Sequence, residues 1–190
     1  ALEAGAYLSY EQRFGKFTVN AGLRYSMFVR HGQERIPIYR DNRPVVYNSV
    51  LGRYESGVVT GYKDYSSGES ISVFQNFEPR FATTLVLNET SSVKASYNRL
   101  YQYLQLISNT TAPQPTDIWT PSGPFIRPQQ ADQYAIGFFR NFKKNTYEAS
   151  VEFFHKDMYN LVDYVDGANL ITNNTIETEL LSGRGRAYGC

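Results

Sequence analysis

Residues 17–29 alternate between apolar and polar side chains over thirteen positions, and only Phe28 interrupts the pattern. Side chains alternate between the two faces of a β-strand, so the pattern predicts one long strand with an apolar face and a polar face. This run is longer than the usual globular strand of about 5–6 residues. It suits a tilted strand that crosses a bilayer, which takes about 9–11 residues.

The composition fits the same interpretation. The 190 residues include 16 Tyr and 12 Phe, and the formal charge is +1. An aromatic-rich alternating sequence is typical of transmembrane β-barrels, whose aromatic side chains form girdles at both membrane surfaces, although a secreted β-sandwich has a similar composition. The balance of acids and bases argues against a nucleic-acid partner, which needs a clustered basic face. The sequence has no apolar run of about 18 residues, so no membrane-spanning helix is predicted.

Six further segments show strand periodicity. The predicted strands are 5–14, 17–29, 77–87, 92–107, 131–142, 146–165 and about 175–189. Short turns are predicted at Gly15, Glu89 and Lys144, and the long connections are 30–76, 108–130 and 166–174. In outer-membrane barrels the short turns face the periplasm and the long loops face outside. We therefore expect the three turns to be periplasmic.

Seven strands are too few to close a bacterial barrel, which uses an even number from eight upward. An open sheet would leave unpaired backbone groups in lipid. One explanation is an eighth strand in the first long connection, for which residues 45–54 are a candidate. The other is that the chain is part of a larger barrel, and the last strand, which runs to the end of the chain, favours this explanation.

The sequence carries no sign of an enzyme. His31 and His155 are far apart, and two such residues do not make a metal site. Glu148 and Glu152 lie four residues apart on a strand, where a wall position is the simpler interpretation than acid–base catalysis. Cys190 is the only cysteine and has no internal disulfide partner. We predict no catalytic residue, no metal and no cofactor.

Several segments resemble, in order and spacing, the C-terminal half of TonB-dependent outer-membrane receptors of the Bacteroidetes type. These segments are 77–82, 92–99, 108–110, 115–122, 127–134 and 183–189. The resemblance implies an all-β fold, an antiparallel transmembrane β-barrel of 22 strands, of which residues 1–190 would be a partial barrel domain with about seven strands and no plug domain. It places the chain in the bacterial outer membrane.

The resemblance also implies a function and partners. Receptors of this family import scarce ligands such as siderophores, cobalamin, glycans or peptides, with energy passed from the inner membrane by TonB. The expected partners are outer-membrane lipid, the remaining strands and plug domain of the parent receptor, TonB through that parent, and in some members a surface lipoprotein. This segment alone is not expected to transport.

Two groups of site residues follow. Candidate ligand contacts are Trp119, Tyr101, Tyr103, Arg40 and Arg43. Each has a plainer alternative: a loop anchor for the tryptophan, a girdle or wall position for the tyrosines, and a solvated loop for the arginines. The residues predicted to face the lumen or the plug are Arg24, Arg80, Lys94, Glu148 and Glu152.

Two other functions remain open from the sequence. The chain could form a small autonomous outer-membrane barrel of eight strands, acting as a structural protein or an adhesin. It could also be a soluble secreted β-sandwich that binds a ligand.

Overall fold

The computed structural model describes residues 1–107, 118–143, 146–169 and 175–190. In chain order the strands are β1 (Leu2–Phe14), β2 (Phe17–His31), β3 (Glu34–Tyr39), β4 (Val45–Asn48), β5 (Arg53–Ser56), β6 (Val59–Tyr65), β7 (Ser70–Asn88), β8 (Ser91–Gln102), β9 (Leu104–Ile107), β10 (Ile118–Pro121), β11 (Gln129–Phe142), β12 (Tyr147–Tyr164) and β13 (Leu180–Gly189). Two 3₁₀ turns, Arg40–Asn42 and Ile176–Thr178, are the helical elements of the described residues. No helix in these ranges is long and apolar enough to span a membrane.

Seven of the strands form one antiparallel sheet in the order β1-β2-β7-β8-β11-β12-β13. The all-β fold with about seven strands is therefore confirmed, and the sheet is open, with β1 and β13 at its edges. Three small two-stranded sheets, β3–β6, β4–β5 and β9–β10, accompany it among the described residues. No second large sheet faces the first in the described part of the chain, so the arrangement is not a β-sandwich.

The long strand predicted at residues 17–29 is present as β2. A tight turn joins it to β1, where Phe14 pairs with Phe17 and Gly15 adopts a φ of +59° that suits glycine. The turn at Glu89 is also present, and the Asn88 side chain accepts a hydrogen bond from the Thr90 amide. The third predicted turn lies after β11, but Lys144 itself is outside the described residues, as are segment 108–110 and part of segment 115–122.

The prediction of one strand over residues 92–107 is wrong. The strand ends at Gln102, and β9 begins at Leu104 in a different sheet with β10. Tyr103 is the break, because its side chain turns away to pack against β2 and β7. The last predicted strand likewise begins later, at Leu180, after the 3₁₀ turn Ile176–Thr178.

The candidate strand at residues 45–54 is not an eighth strand of the large sheet. It is a hairpin in which β4 pairs with β5, and the Asn48 side chain accepts hydrogen bonds from the amides of Val50 and Leu51 in the turn. The first long connection also contains the β3–β6 hairpin. Because β2 and β7 pair directly with each other, they leave no sheet edge between them for this connection to join.

The two faces of the sheet follow the sequence alternation, but only up to a boundary that differs from strand to strand. On β2 the apolar face extends from Phe17 to Val29. The cross-strand row that contains Tyr97, Tyr134 and His155 is followed by a charged row: Arg99 pairs with Asp132, and Asp157 with Arg186. The same face is therefore apolar along β2 and becomes polar at its long-loop end on β8 to β13.

Candidate functional site: a polar sheet face and three converging connections

Arg24 and Arg80 lie on the polar face of the large sheet, one on each side of Glu78. Arg24 pairs with Glu78 across β2 and β7, and their closest side-chain atoms, Nε and Oε1, are 4.0 Å apart. Arg80 Nη2 is 3.9 Å from Glu78 Oε2, and Arg24 Nη2 is 3.7 Å from Glu3 Oε1. Only 4% of Glu78 is exposed. This buried carboxylate therefore holds two partly exposed guanidinium groups on one face.

Lys94, Glu148 and Glu152 lie on the same face, closer to the short turns. Gly137 pairs with Lys94 on one side and with Glu152 on the other. The ring of Phe139 lies over Gly137, where a Cβ would approach it to 2.8 Å, and Lys94 Nζ lies 4.4 Å from the ring centroid. Glu148 pairs with Asn141 farther along. All five residues predicted to face the lumen thus share one face of the sheet, in two groups, and their contact with a plug stays a prediction.

The β9–β10 hairpin is anchored to the polar face by Tyr103. The Tyr103 hydroxyl lies 2.7 Å from Ser26 Oγ and accepts a hydrogen bond of 2.9 Å from Asn76 Nδ2. Its ring stacks on Phe28, with the centroids 5.1 Å apart and the planes nearly parallel. Only 2% of Tyr103 and 1% of Phe28 are exposed. Phe28, which interrupts the alternation of β2, is therefore the base on which this hairpin rests.

The other face of the hairpin is open. Trp119 pairs with Leu106, and both are exposed, with 63% of Trp119 accessible. Gln105, on the opposite face, is buried and donates to the Arg127 carbonyl at 2.9 Å. The structure therefore separates the predicted aromatic contacts. Trp119 is available to a ligand, and Tyr103 lies in the core.

Tyr101 lies on the opposite face of the large sheet from the Arg24 cluster, because it pairs with Gln130 in the row beyond Arg99 and Asp132. Its hydroxyl donates to Gln130 Oε1 at 3.0 Å. The predicted single strand over residues 92–107 would place Tyr101 and Tyr103 on one face, but the strand breaks between them and they do not share a face. Arg40 begins the 3₁₀ turn Arg40–Asn42, and Arg43 directly follows it. Both are exposed and lie in the connection between β2 and β7.

All three long connections meet at Tyr39. The Tyr39 hydroxyl donates to Glu177 Oε1 at 3.0 Å, and its ring meets Phe125 edge-on at 5.2 Å. Only 2% of Tyr39 is exposed. Burial, together with the adjacent Glu177 carboxylate, raises the pKa of Tyr39 well above its ordinary value, so the hydroxyl stays a donor. Ile107, Ile126 and Leu180 form the small core beneath this junction.

Two depressions flank the junction. A crevice of about 60 Å³ lies beside Arg30, Glu34 and Phe125, and Arg30 Nη2 lies 2.6 Å from Glu34 Oε1 at its wall. A wider cleft of about 290 Å³ opens between the β4–β5 hairpin and the β12–β13 connection; its lining includes Tyr54, Asp166 and Glu179. The wider cleft has the room for part of a small ligand, and neither depression contains Arg40 or Arg43.

Sequence reasoning missed the residues that join the connections: Tyr39, Phe125 and Glu177. No periodic pattern singles them out, because each lies in a connection. Phe28 was the one available signal, since an apolar side chain on an otherwise polar face needs a partner. The described residues contain no cluster of three or more His, Cys, Asp or Glu side chains placed to hold a metal ion.

Comparison with known proteins identifies the family. The sequence matches the family described as TonB dependent receptor-like, beta-barrel, over residues 3–189. The chain belongs to this family. Its members are receptors and transporters rather than enzymes, and membership places the chain in the bacterial outer membrane.

A solved structure supports the barrel fold of this TonB-dependent receptor segment. The chain is similar to the alcaligin outer-membrane receptor FauA from Bordetella pertussis, with a TM-score of 0.50 and 17% identity. The similarity covers 98% of this chain and 26% of FauA, so the chain spans about a quarter of that receptor's length. No curated protein sequence matches the chain.

Proposed function

We propose that the parent of this chain is a TonB-dependent importer of the Bacteroidetes type, in which this segment supplies a quarter to a third of the barrel wall and part of the ligand entrance. The observation that carries the proposal is the junction at Tyr39, where three long connections meet at one end of a seven-stranded membrane sheet. Connections packed together in this way can form a defined binding surface, which independent flexible loops cannot.

The ligand contacts we propose are on the open surfaces around this junction. Trp119 offers an exposed ring on a hairpin that is itself firmly anchored, so stacking a ligand on it orders no additional backbone. Arg40 and Arg43 would attract anionic groups from the periphery. Tyr101 and Tyr103 act as supports rather than contacts in this proposal, because both hydroxyls are engaged with neighbouring strands.

In the proposed mechanism, the polar face of the large sheet contacts the plug rather than the ligand. Arg24, Arg80, Lys94, Glu148 and Glu152 would face the plug domain of the parent or the water around it. TonB would then act on that plug, and a surface lipoprotein is the further partner we propose. The similarity of the fold to FauA makes ferric siderophores the first ligand class to test, followed by cobalamin, glycans and peptides. We propose no catalytic role.

The test uses the full-length parent receptor in cells that depend on it for one nutrient. Trp119→Ala should weaken ligand binding to whole cells about tenfold, as expected for the loss of one aromatic contact. Glu78→Gln, together with Arg80→Gln, should leave surface binding unchanged and reduce uptake, because these residues lie on the wall and not at the entrance.

Leu100→Ala serves as the matched control, since Leu100 is also exposed but lies on the wall of β8. If Trp119→Ala and Leu100→Ala have equal, negligible effects on the binding of every ligand class, the proposed entrance is wrong. If no nutrient depends on the parent receptor or on TonB, the importer itself is wrong.

A further inference from the structure

A charged belt crosses the apolar face of the sheet on its β8–β13 side. Its first row contains Arg99, Asp132, Asp157 and Arg186, which are neighbours across four strands. Arg99 Nε lies 2.7 Å from Asp132 Oδ1, and Arg186 Nε lies 3.2 Å from Asp157 Oδ1. The next row away from the short turns adds Arg184, whose guanidinium lies 5.5 Å from the ring centroid of Tyr159.

The belt begins where the lipid-facing band ends. The row on its short-turn side is aromatic: Tyr97, Tyr134, His155 and Tyr188 are cross-strand neighbours, and the rings of Tyr97 and Tyr134 are 4.9 Å apart. Beyond that row the same face carries Ile136 and Phe153, both exposed and apolar. Aromatic rings with polar tips mark the membrane–water interface of a barrel. The charged belt therefore lies at the level of the lipid headgroups.

Among the described residues, the belt carries more positive than negative charge. Asp132 is saturated, because Arg99, the Tyr97 hydroxyl and Gln130 Nε2 all donate to it at 2.7–2.8 Å. Asp157 is shared between His155 and Arg186. Arg184 has no carboxylate partner among the residues that the structure describes, and 69% of the Arg186 side chain is exposed. Three arginines thus face two aspartates, and the two on β13 point outward on the same face.

We propose that Arg184 and Arg186 form a binding site for the phosphorylated headgroup of an outer-leaflet lipid. Arginine binds phosphate through paired charge-assisted hydrogen bonds, and the two residues stand one strand repeat apart, about 7 Å, on one face. Tyr188 lies on the membrane side of Arg186 and can contact the upper part of the acyl chains, whereas Tyr159 lies beside Arg184. The occupant is a membrane lipid and not a dissolved anion, because the site continues directly into the apolar band.

The inference rests on the orientation proposed above, with the long connections outside the cell. An epitope inserted between Ser49 and Val50 in the β4–β5 turn should be recognised on intact cells. If it is recognised only after the outer membrane is opened, the orientation fails, and with it the assignment to the outer leaflet. Lipid binding itself is measured without ligand or TonB, so a failure of the importer proposal would not change that result.

The test is native mass spectrometry of the full-length parent receptor in a neutral detergent, titrated with lipid A that carries two phosphates. The probes for comparison are dephosphorylated lipid A and phosphatidylcholine. Arg184→Gln with Arg186→Gln should weaken binding of the phosphorylated lipid about tenfold and leave the other two lipids unaffected. The control is Arg13→Gln with Lys16→Gln, which removes the same charge from two exposed residues at the β1–β2 turn and should change nothing.

Three results would overturn the proposal: equal losses in the β13 and the β1–β2 turn double variants, no loss in the β13 variant, or full competition by dissolved inorganic phosphate. If the double variant does not fold, Arg184→Gln alone decides the question, because this arginine takes part in no ion pair of the described residues. That single variant should weaken binding of the phosphorylated lipid about threefold.

Discussion

The two halves of the sheet, β1 to β7 and β8 to β13, place different kinds of side chain on the same cross-strand row. Leu8 and Leu23 pair on β1 and β2, and the row continues through Pro79 on β7; all three side chains are apolar. Across the sheet, at the corresponding position, Arg99 pairs with Asp132 and Asp157 with Arg186. A row of paired residues is thus apolar on one half and charged on the other.

Strand tilt explains the difference. Barrel strands lean about 35–45° from the barrel axis, so a row drawn perpendicular to the strands climbs relative to the membrane from one strand to the next. The band of apolar side chains stays level with the membrane, so it crosses different rows on different strands. At the short-turn end of the apolar band the shift has the same direction. The apolar face of β11 and β12 continues to Phe142 and Tyr147, which lie closer to the short turns than the row of Phe17. The two halves therefore face the same membrane at different positions along their strands.

The strongest test of this comparison introduces a charge on each half. Leu23→Arg, in the middle of the band on β2, should destabilise the full-length barrel in lipid vesicles by about 2–4 kcal/mol. Ser182→Arg, on the same face of β13 but beyond the charged belt, should cost less than about 1 kcal/mol. Denaturant unfolding in vesicles measures both.

Asn20→Arg provides a control on the other face of β2, and it should also cost much less than Leu23→Arg. Equal costs for Leu23→Arg and Ser182→Arg would show that the band does not shift between the halves. Equal costs for Leu23→Arg and Asn20→Arg would show that the faces are assigned wrongly.

The second test makes the charged half resemble the apolar half. Asp132→Ala removes the shared acceptor of Arg99, Tyr97 and Gln130 and should cost about 2–3 kcal/mol, less than a fully buried pair because Arg99 is partly exposed. Replacing both Arg99 and Asp132 with Leu should recover most of this loss. Unfolding of the single and double variants gives the coupling energy; a double variant no better than Asp132→Ala would mean that the belt needs its charge in place.

The third test concerns the β9–β10 hairpin, which packs on β2 and β7 through Tyr103. Tyr103→Phe removes the hydroxyl that contacts Ser26 and Asn76 and should destabilise the hairpin by about 1–2 kcal/mol, seen as faster amide exchange over β9. Tyr101→Phe loses one hydrogen bond on the other face and should leave β9 unchanged. Equal effects on β9 would mean that Tyr103 is not its anchor.

The smallest effect is expected outside the sheet, in the β3–β6 hairpin. A hydrogen bond from Arg35 holds the pKa of Asp64 below its ordinary value of 3.8. A lowered pKa stabilises the hairpin above about pH 4, and this contribution disappears as the pH falls through the folded-state pKa. Amide exchange in β3 and β6, corrected for intrinsic rates, should therefore rise slightly at acid pH. Asp64→Asn should abolish this pH dependence, and a persisting dependence would assign it to another group.

Much of the fold was predictable because a strand leaves a local pattern in the sequence. A period of two residues marks each membrane strand, and Gly15 and Asn88 mark turns by their own chemistry. The five residues predicted on the polar face share a face in the structure for the same reason. The break at Tyr103 was not predictable from periodicity, since its cause is a contact with Phe28, 75 positions earlier in the chain.

The sequence alone determined that this chain forms long two-faced strands joined alternately by short turns and long connections, because alternation and turn chemistry depend only on neighbouring residues. The tertiary structure decided where each face changes from apolar to charged and which connections meet. These features depend on register and tilt, which bring Arg99 beside Asp132 and Tyr39 beside Glu177, and no local pattern records pairings between residues so far apart in the chain.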